Sequence, residues 1–214
     1  YIDSSFLDTF ISKTRVGILF TVASFASLVY IANTPKILSK FGVVGTMQIT
    51  TSAYILSILG LVFSHTPILL EIFFVVYWVS AVAMYTSLDV LISEYSDGVS
   101  TGKTRAFYLT IYNLAFLIAP FIAGILVDTI DFRGVYLVSG FFVLCMSLFF
   151  THSFKSLKLF PKKNGFNFIS NFVDLFKNKD LRNVYLVSFV MNFFFAWMTI
   201  YMPIYLFENI GLSW

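Results

Sequence analysis

The shortage that says most about this 214-residue chain is its lack of charged residues. Lys, Arg, Asp and Glu together make up 12% of the sequence, about half the usual share of a soluble domain. Hydrophobic residues make up 58%, and the mean hydropathy is +0.86. These values exclude a water-soluble globular domain, a disordered tail and a nucleic-acid-binding protein. The chain is predicted to be an integral membrane protein.

Residues that bind metals or act as nucleophiles are also scarce. The single cysteine, Cys145, excludes a disulfide framework and a thiolate metal cluster. The two histidines, His65 and His152, lie far apart in the sequence. HExxH, GxSxG, a P-loop and a glycine-rich dinucleotide turn are all missing from it. We therefore expect neither an enzyme nor a cofactor or metal site.

Six apolar runs are long enough to cross a bilayer as α-helices, which takes roughly 17–25 residues. They lack the period-two polar alternation of membrane β-strands. The predicted fold class is therefore all-α, a polytopic helical membrane protein. The predicted spans are 16–32 (span A), 43–63 (span B), 68–88 (span C), 106–127 (span D), 134–150 (span E) and 184–207 (span F).

Lysine and arginine are distributed unevenly over the connections between these spans. Three of the 14 fall on the side of the first residue, and the other eleven fall on the opposite side. Because positive charge is retained on the cytoplasmic side, we expect residue 1 to lie outside the cell. The 152–183 loop is then cytoplasmic, and the protein spans the plasma or inner membrane.

The 152–183 loop contains a second pattern. Phe168, Phe172, Leu175 and Phe176 recur at helical spacing and predict an in-plane amphipathic helix at the membrane surface. Either a regulatory, partner-binding loop or a simple tether between two bundles is consistent with it. Residues 4–11 predict a shorter amphipathic segment on the outer side.

Polar side chains inside the apolar spans indicate where a polar cavity lies, because placing them in lipid is costly. The alternative for each is a helix–helix hydrogen bond of about 0.6 kcal/mol, which we favour for Ser24. Trp78 and Tyr85 could instead be packing residues or interface anchors. Span E is almost wholly apolar and is predicted to face lipid. The candidate cavity residues are Ser24, Trp78, Tyr85, Asn113, Asn192, Trp197 and Tyr201.

Charged residues gather where span C ends and span D begins. Asp89 and Glu94 close span C, whereas Lys103 and Arg105 open span D. One interpretation is an ion-pair latch that breaks as the cytoplasmic ends separate. The other is a solvated loop with weak pairs worth roughly 0–1 kcal/mol each.

The order of these features resembles the major facilitator superfamily of secondary transporters. Residues 35–42 are similar to that family's G-x-x-x-D-R/K-x-G-R/K-R/K loop, with Lys40 and Gly42 matching and Ser39 in place of the acidic residue. Residues 94–106, from Glu94 to the Arg-Ala pair, are similar to the connection between the family's fourth and fifth spans.

Two further passages extend the resemblance. Asn113, Pro120 and Gly124 in span D are similar to the family's fifth span, where proline and glycine allow a bend and a close helix approach. Residues 132–136, FRGVY, are similar to the entry to the sixth span. The basic loop and residues 181–214 then match the family's central loop and seventh span.

The resemblance implies that spans A to F are the second to seventh of twelve. Residues 1–151 would belong to the N-terminal bundle, 152–183 to the central loop and 184–214 to the C-terminal bundle. Spans A, C, D and F would line the cavity, with B and E peripheral, although span B is polar for a lipid-facing helix. Because the chain starts at Tyr1 and stops at Trp214, we expect a segment of a longer protein.

The function implied is secondary or facilitative transport of a small solute by alternating access, with no nucleic-acid partner. The expected partners are the solute, the lipid bilayer and, as the family allows, a coupling proton; a monomer is expected at full length. A receptor or scaffold subunit that transports nothing is the open alternative. The candidate gate residues are Lys40, Gly42, Asp89, Glu94, Arg105, Pro120 and Gly124.

Overall fold

The computed structural model describes residues 2–95, 101–154 and 177–206, and these residues are helical apart from short turns. This confirms the all-helical fold class. In chain order the helices are α1 (Ile2–Asp8), α2 (Lys13–Phe63), α3 (Pro67–Tyr95), α4 (Thr101–Phe154) and α5 (Lys179–Tyr205).

Each of the long helices begins before its predicted span, and α3 and α4 also end beyond theirs. Helix α3 starts at Pro67, a residue whose fixed φ suits the first turn. Helix α5 starts after Asn178, whose Oδ1 accepts hydrogen bonds from the backbone N–H groups of Asp180 (3.1 Å) and Leu181 (3.3 Å). Such capping allows a helix to continue past the apolar run into the interface, which hydropathy alone does not predict.

Four of the described helices, α2 to α5, are long and apolar enough to cross a membrane. Two of them contain one residue with non-helical backbone angles: Gly42 in α2 (φ 71°, ψ 169°) and Asp131 in α4 (φ 71°, ψ 166°). At about 1.5 Å per residue, the 51 residues of α2 would form a straight rod of about 77 Å. Each of these two elements therefore consists of two helices joined at a single residue.

The helices divide into two compact units. One unit contains α1, the first residues of α2 as far as Val16, and α5. The other contains α2 from Gly17 onward, together with α3 and α4.

Helix α3 is the central helix of the second unit. In the N-terminal half of α3, the rings of Phe74 and Trp78 lie edge-on to the Phe20 ring of span A, with both centroid distances 5.1 Å. One turn away, the Tyr77 ring lies 4.9 Å from that of Tyr54 in span B. Tyr77 also contacts Tyr136 of span E, at 5.8 Å. Spans A, B and E therefore all pack against α3.

A second apolar cluster joins α2, α3 and α4 at the opposite end of the unit. Its buried members are Leu38, Val43, Met47, Leu91 and Phe150. The aromatic contacts described above pack one end of this unit, and this cluster packs the other.

Span B is polar and yet extensively buried. Thr46, Thr50, Thr51 and Ser57 are all less than 9% exposed. Each hydroxyl donates to a carbonyl oxygen three or four residues earlier in its own helix, at 2.7–3.1 Å. Because these hydroxyls are satisfied locally, span B can be buried without a polar partner. Its burial differs from the peripheral position that the family resemblance implies.

Small residues allow span B to approach its neighbours closely. A Cβ at Gly60 would overlap the ring of Phe73 at the start of span C, and a Cβ at Gly140 in span E would lie 3.2 Å from Ile58. Gln48 of span B also donates a 3.3 Å hydrogen bond to Thr151, beyond span E. Span E, predicted to face lipid, thus has one face packed on span B.

We predict that Gly42→Ala destabilises the protein, because the φ of 71° at Gly42 is strained for any residue with a Cβ. The expected loss is about 1–3 kcal/mol, measured as a lower Tm in detergent. Asp131 has nearly the same backbone angles, so Asp131→Gly should raise the Tm.

Gly45→Ala is the matched control, because Gly45 is helical and a Cβ there would make an ordinary 3.6 Å contact with Phe41. It should leave the Tm unchanged or raise it, since alanine favours a helix interior over glycine by about 1 kcal/mol. Equal effects of the two substitutions would contradict the assigned break at Gly42.

Candidate functional site

The contact between α3 and α4 contains an ion pair. Arg105 Nη2 donates to both carboxylate oxygens of Asp89, at 2.7 and 2.8 Å. Both side chains are about half exposed, so the pair is worth roughly 0–1 kcal/mol. Both residues belong to one compact unit, so the pair ties α3 to α4. The sequence predicted both residues as gate candidates, and the structure brings them together.

Tyrosine rings continue this contact from the ion pair toward the middle of the helices. The rings of Tyr85 on α3 and Tyr112 on α4 meet edge-on at a centroid distance of 5.9 Å. Tyr112 also lies 6.5 Å from Tyr108 and 6.2 Å from Phe116, at the four-residue spacing of one helix face. Tyr108 and Tyr112 are not among the residues predicted from the sequence, although their four-residue spacing is visible there.

Three predicted residues share one face of α3. Trp78, Tyr85 and Asp89 are separated by seven and four residues, which places them within about 40° of one another around the helix. The N-terminal part of this face, at Trp78, is covered by Phe20 of span A. The C-terminal part, at Tyr85 and Asp89, contacts α4. Trp78 is therefore a packing residue as well as a cavity candidate.

A second candidate face, the Asn113 stripe, lies on α4 beside its contact with α3. Asn113, Pro120 and Gly124 are spaced by seven and four residues and therefore share one face. Asn113 is exposed, and its Nδ2 donates to the carbonyl oxygen of Leu109 at 2.7 Å. Among the described residues, no atom approaches within 4 Å of a Cβ built at Gly124. The close helix approach expected at this glycine is not seen there, and the stripe is open.

The polar candidates of α5 do not lie on one face. Asn192, Trp197 and Tyr201 are all exposed. At about 100° per residue, Trp197 is roughly 140° and Tyr201 roughly 180° around the helix from Asn192. A single cavity surface on α5 therefore contains either Asn192 or the two aromatic residues.

The two faces of α5 differ in chemistry. Asn192 shares its face with Ser188 and Thr199, and its Nδ2 donates to the carbonyl oxygen of Ser188 at 2.7 Å. The other face is an aromatic ladder with centroid distances of 6.3–6.5 Å, formed by Phe189, Phe193, Trp197 and Tyr201. Since lipid accepts aromatic rings more readily than amides, the Asn192 face is the better surface for a polar cavity.

The remaining candidates lie apart from these surfaces. Ser24 is exposed on span A. Lys40 is exposed with its Nζ 5.1 Å from the Phe41 ring centroid, and Gly42 is buried at the break in α2. The Glu94 side chain and the predicted amphipathic helix around Phe168 to Phe176 lie outside the described residues.

The described residues contain no group of three His, Cys, Asp or Glu side chains placed to hold a metal ion. The amide and phenol groups that they present can bind a solute by hydrogen bonds and ring contacts without forming a covalent bond to it. This chemistry suits binding and release.

The family model described as Major Facilitator Superfamily matches residues 4–214. No curated protein and no solved structure gives a significant match. The apolar helices long enough to cross a membrane, the polar stripes on them and a family match over nearly the whole length lead to one conclusion: the chain belongs to the major facilitator superfamily of membrane transporters.

Proposed function

We propose that this segment crosses the membrane six times, with α2 and α4 each providing two crossings. The breaks at Gly42 and Asp131 support this, because they divide each element into pieces of about one membrane thickness. The contacts Gln48–Thr151 and Ile58–Gly140 also support it, since they show spans B and E running antiparallel. This direction is expected for the second and fifth of six alternating crossings.

The proposed orientation places residue 1 and Asp131 outside, and Gly42 and the 152–183 loop in the cytoplasm. The uneven distribution of lysine and arginine supports it.

Labelling with a thiol reagent that does not cross membranes tests this orientation. In a Cys145→Ser background, we expect Lys162→Cys to be unreactive on intact cells and reactive after permeabilisation. Asp128→Cys is the matched control, because Asp128 is exposed on the proposed outer side and should react in both conditions. Ready labelling at position 162 on intact cells would contradict the proposed orientation.

We propose that the full-length protein moves a small solute by alternating access, as a secondary or facilitative transporter in which two bundles expose a midplane site to each side in turn. The family match and the amides of Asn113 and Asn192 support this. Both amides are exposed, and each Nδ2 donates a hydrogen bond to a carbonyl oxygen of its own helix. An amide can form about four hydrogen bonds, so both have capacity left for solute or water.

The positions of the acidic residues limit the ways in which transport could be coupled to protons. Every Asp and Glu of this segment lies at or near the end of a span or in a connection. A proton-coupled symporter would therefore rely on Asp89, on Glu71 or on residues of the full-length protein beyond this segment. Uniport needs no such group, and we propose uniport or symport of an uncharged or weakly charged solute.

The transport proposal predicts solute flux in proteoliposomes that contain the full-length protein. A thermal-shift screen over sugars, amino acids, nucleosides and drugs identifies the probe solute, because a ligand at 100 times its Kd stabilises by about 2.7 kcal/mol. Asn192→Ala should raise the KM for that solute about two- to tenfold, the value of one lost hydrogen bond.

Val187→Ala is the matched control for Asn192→Ala. Val187 is exposed on α5 at roughly 140° around the helix from Asn192. Its replacement by alanine should therefore leave the KM unchanged. Absence of flux for the whole panel under any imposed gradient would refute the transporter, whereas equal effects of the two variants would refute only the role of Asn192.

We propose that the Asp89–Arg105 pair holds the cytoplasmic ends of spans C and D together during transport. Asp89→Asn should lower the stability by at most about 1 kcal/mol and slow the flux. The double variant Asp89→Arg with Arg105→Asp should recover the rate, because it restores the pair with reversed charges.

Lys103→Gln provides the control for loss of a charge from the same turn, and we expect normal flux from it. Failure of the reversed pair to recover any rate, with protein present in the membrane, would show that the individual charges matter rather than their contact.

A further inference from the structure

The contact between α3 and α4 brings aromatic rings from two helices together at nearly a right angle. The planes of the Tyr85 and Tyr112 rings make an angle of 84°, and their centroids are 5.9 Å apart. On α4, the Phe116 ring is stacked beside Tyr112, with 29° between the planes and a centroid distance of 6.2 Å. One wall from α3 and one from α4 therefore form a recess, which we call the aromatic corner and which consists of Tyr85, Tyr112 and Phe116.

The aromatic corner is open among the described residues. The exposed fraction is 51% for Tyr85, 38% for Tyr112 and 53% for Phe116. The rings that pack around the N-terminal half of α3 differ, because Phe74 is 0% and Tyr136 3% exposed. The aromatic corner thus has ring surface that the packing of its own unit does not use.

The right angle decides which shape of ligand the aromatic corner favours. Aromatic rings attract one another either offset and stacked or edge to face, at centroid distances of about 4.5–7 Å. A flat ring that lies on one wall of the corner presents its edge to the other wall, so it can form both arrangements at once. A saturated ring lacks the π system and gains contact area only. The aromatic ladder of α5 comes from one helix and has no second wall.

The charges around the aromatic corner favour an uncharged ligand. Asp89 lies one turn beyond Tyr85 on α3, and Arg105 lies two turns before Tyr112 on α4. These two side chains neutralise each other through hydrogen bonds of 2.7 and 2.8 Å. From 72 to 88 and from 106 to 127 the sequence contains no Asp, Glu, Lys or Arg. A charged ligand would have to take its partner from this ion pair, whereas a neutral ligand leaves the pair intact.

A polar substituent on a flat ring also finds a partner beside the aromatic corner. Asn113 follows Tyr112 directly and is exposed, and its Nδ2 donates to the carbonyl oxygen of Leu109 at 2.7 Å. The amide carries a second N–H and an acceptor oxygen. These groups suit an amide, a urea or a hydroxyl substituent.

We propose that the aromatic corner is the part of the solute site that selects a neutral solute with a flat, unsaturated ring. Tyr85 and Tyr112 are then specificity-determining residues, and their rings rather than their hydroxyl groups recognise the solute. This inference rests on the transport function proposed above and adds the class of solute to it.

Three pairs of neutral compounds test this selection, because the two members of a pair differ only in whether the ring is aromatic. They are benzamide and cyclohexanecarboxamide, phenylurea and cyclohexylurea, and phenyl and cyclohexyl β-glucoside. The Kd of each is measured by thermal-shift titration of the purified full-length protein. We expect at least one aromatic member to bind about two- to tenfold more tightly than its partner. Unspecific partitioning would give the opposite order, since the saturated ring is the more hydrophobic.

Variants assign the preference to the aromatic corner. Tyr85→Leu and Tyr112→Leu should each reduce it, because leucine keeps an apolar contact without a ring, whereas Tyr112→Phe keeps the ring and should retain it. Phe121→Leu is the matched control. Phe121 is exposed on α4 at roughly 180° around the helix from Tyr112, so its replacement should leave the preference unchanged. If the leucine variants do not reach the membrane, Phe116→Leu replaces them.

Benzylammonium and benzoate test the requirement for a neutral solute. We expect both to bind more weakly than the neutral aromatic compound that binds best. A charged compound that binds more tightly than all the neutral ones would overturn the selection of neutral solutes.

The outcomes separate the aromatic corner from the transporter. A preference that is absent in all three pairs, or that the leucine variants leave unchanged, would refute the corner and leave these tyrosines as interface anchors. The transporter stands in that case if proteoliposomes move a saturated solute. A preference that depends on Tyr112 supports the corner even when no flux is found, and then only the transport proposal fails.

Discussion

The hydrocarbon interior of the bilayer offers no hydrogen-bond partners, and this constraint governs the structure at every level. Each backbone N–H group and each hydroxyl must find its partner within the protein. Span B meets this requirement through its threonines and serines, which donate to carbonyl oxygens one turn earlier. Ser27 in span A and Ser87 in span C do the same toward Ala23 and Ala83, at 2.9 and 2.8 Å. Because these hydroxyls are satisfied inside single helices, they leave the packing of their helices to shape and ring contacts.

The same constraint explains where the helices are interrupted. A non-helical residue leaves backbone groups unpaired, so it is tolerated where water or a protein group can replace the lost bond. Gly42 and Asp131 carry such breaks, and in the proposed topology both lie at the membrane surface. At Gly42, the carbonyl oxygen accepts a 2.7 Å bond from Thr46. At Asp131, the carboxylate accepts a bond from the backbone N–H of Phe132. Each break is thus stabilised by a nearby polar side chain.

Among the described residues, the polar side chains that can form hydrogen bonds beyond their own helix lie on a few surfaces. The Asp89–Arg105 pair and the tyrosines beside it join α3 to α4, while Asn113 and Asn192 present amides on exposed faces. These surfaces carry polar atoms that lipid does not satisfy, whereas the aromatic ladder of α5 carries few. In the proposed transporter, this distinction assigns the polar surfaces to the solute and the aromatic ladder to lipid. It also makes Asn192 a better candidate than Trp197 or Tyr201.

Hydropathy, charge and motif order were enough to determine the all-helical fold, the membrane location and the family, because these depend on summed transfer free energies and on local patterns. The sequence offered the pairing of Asp89 with Arg105 as one of two interpretations, since the two residues flank one short connection. The burial of span B, the role of Trp78 in packing and the Tyr85–Tyr112 contact were decided by the tertiary structure. Each depends on which face of a helix meets which neighbour. A chain that is apolar on nearly all sides carries little periodic signal to specify that face, so only the packing of the helices selects it.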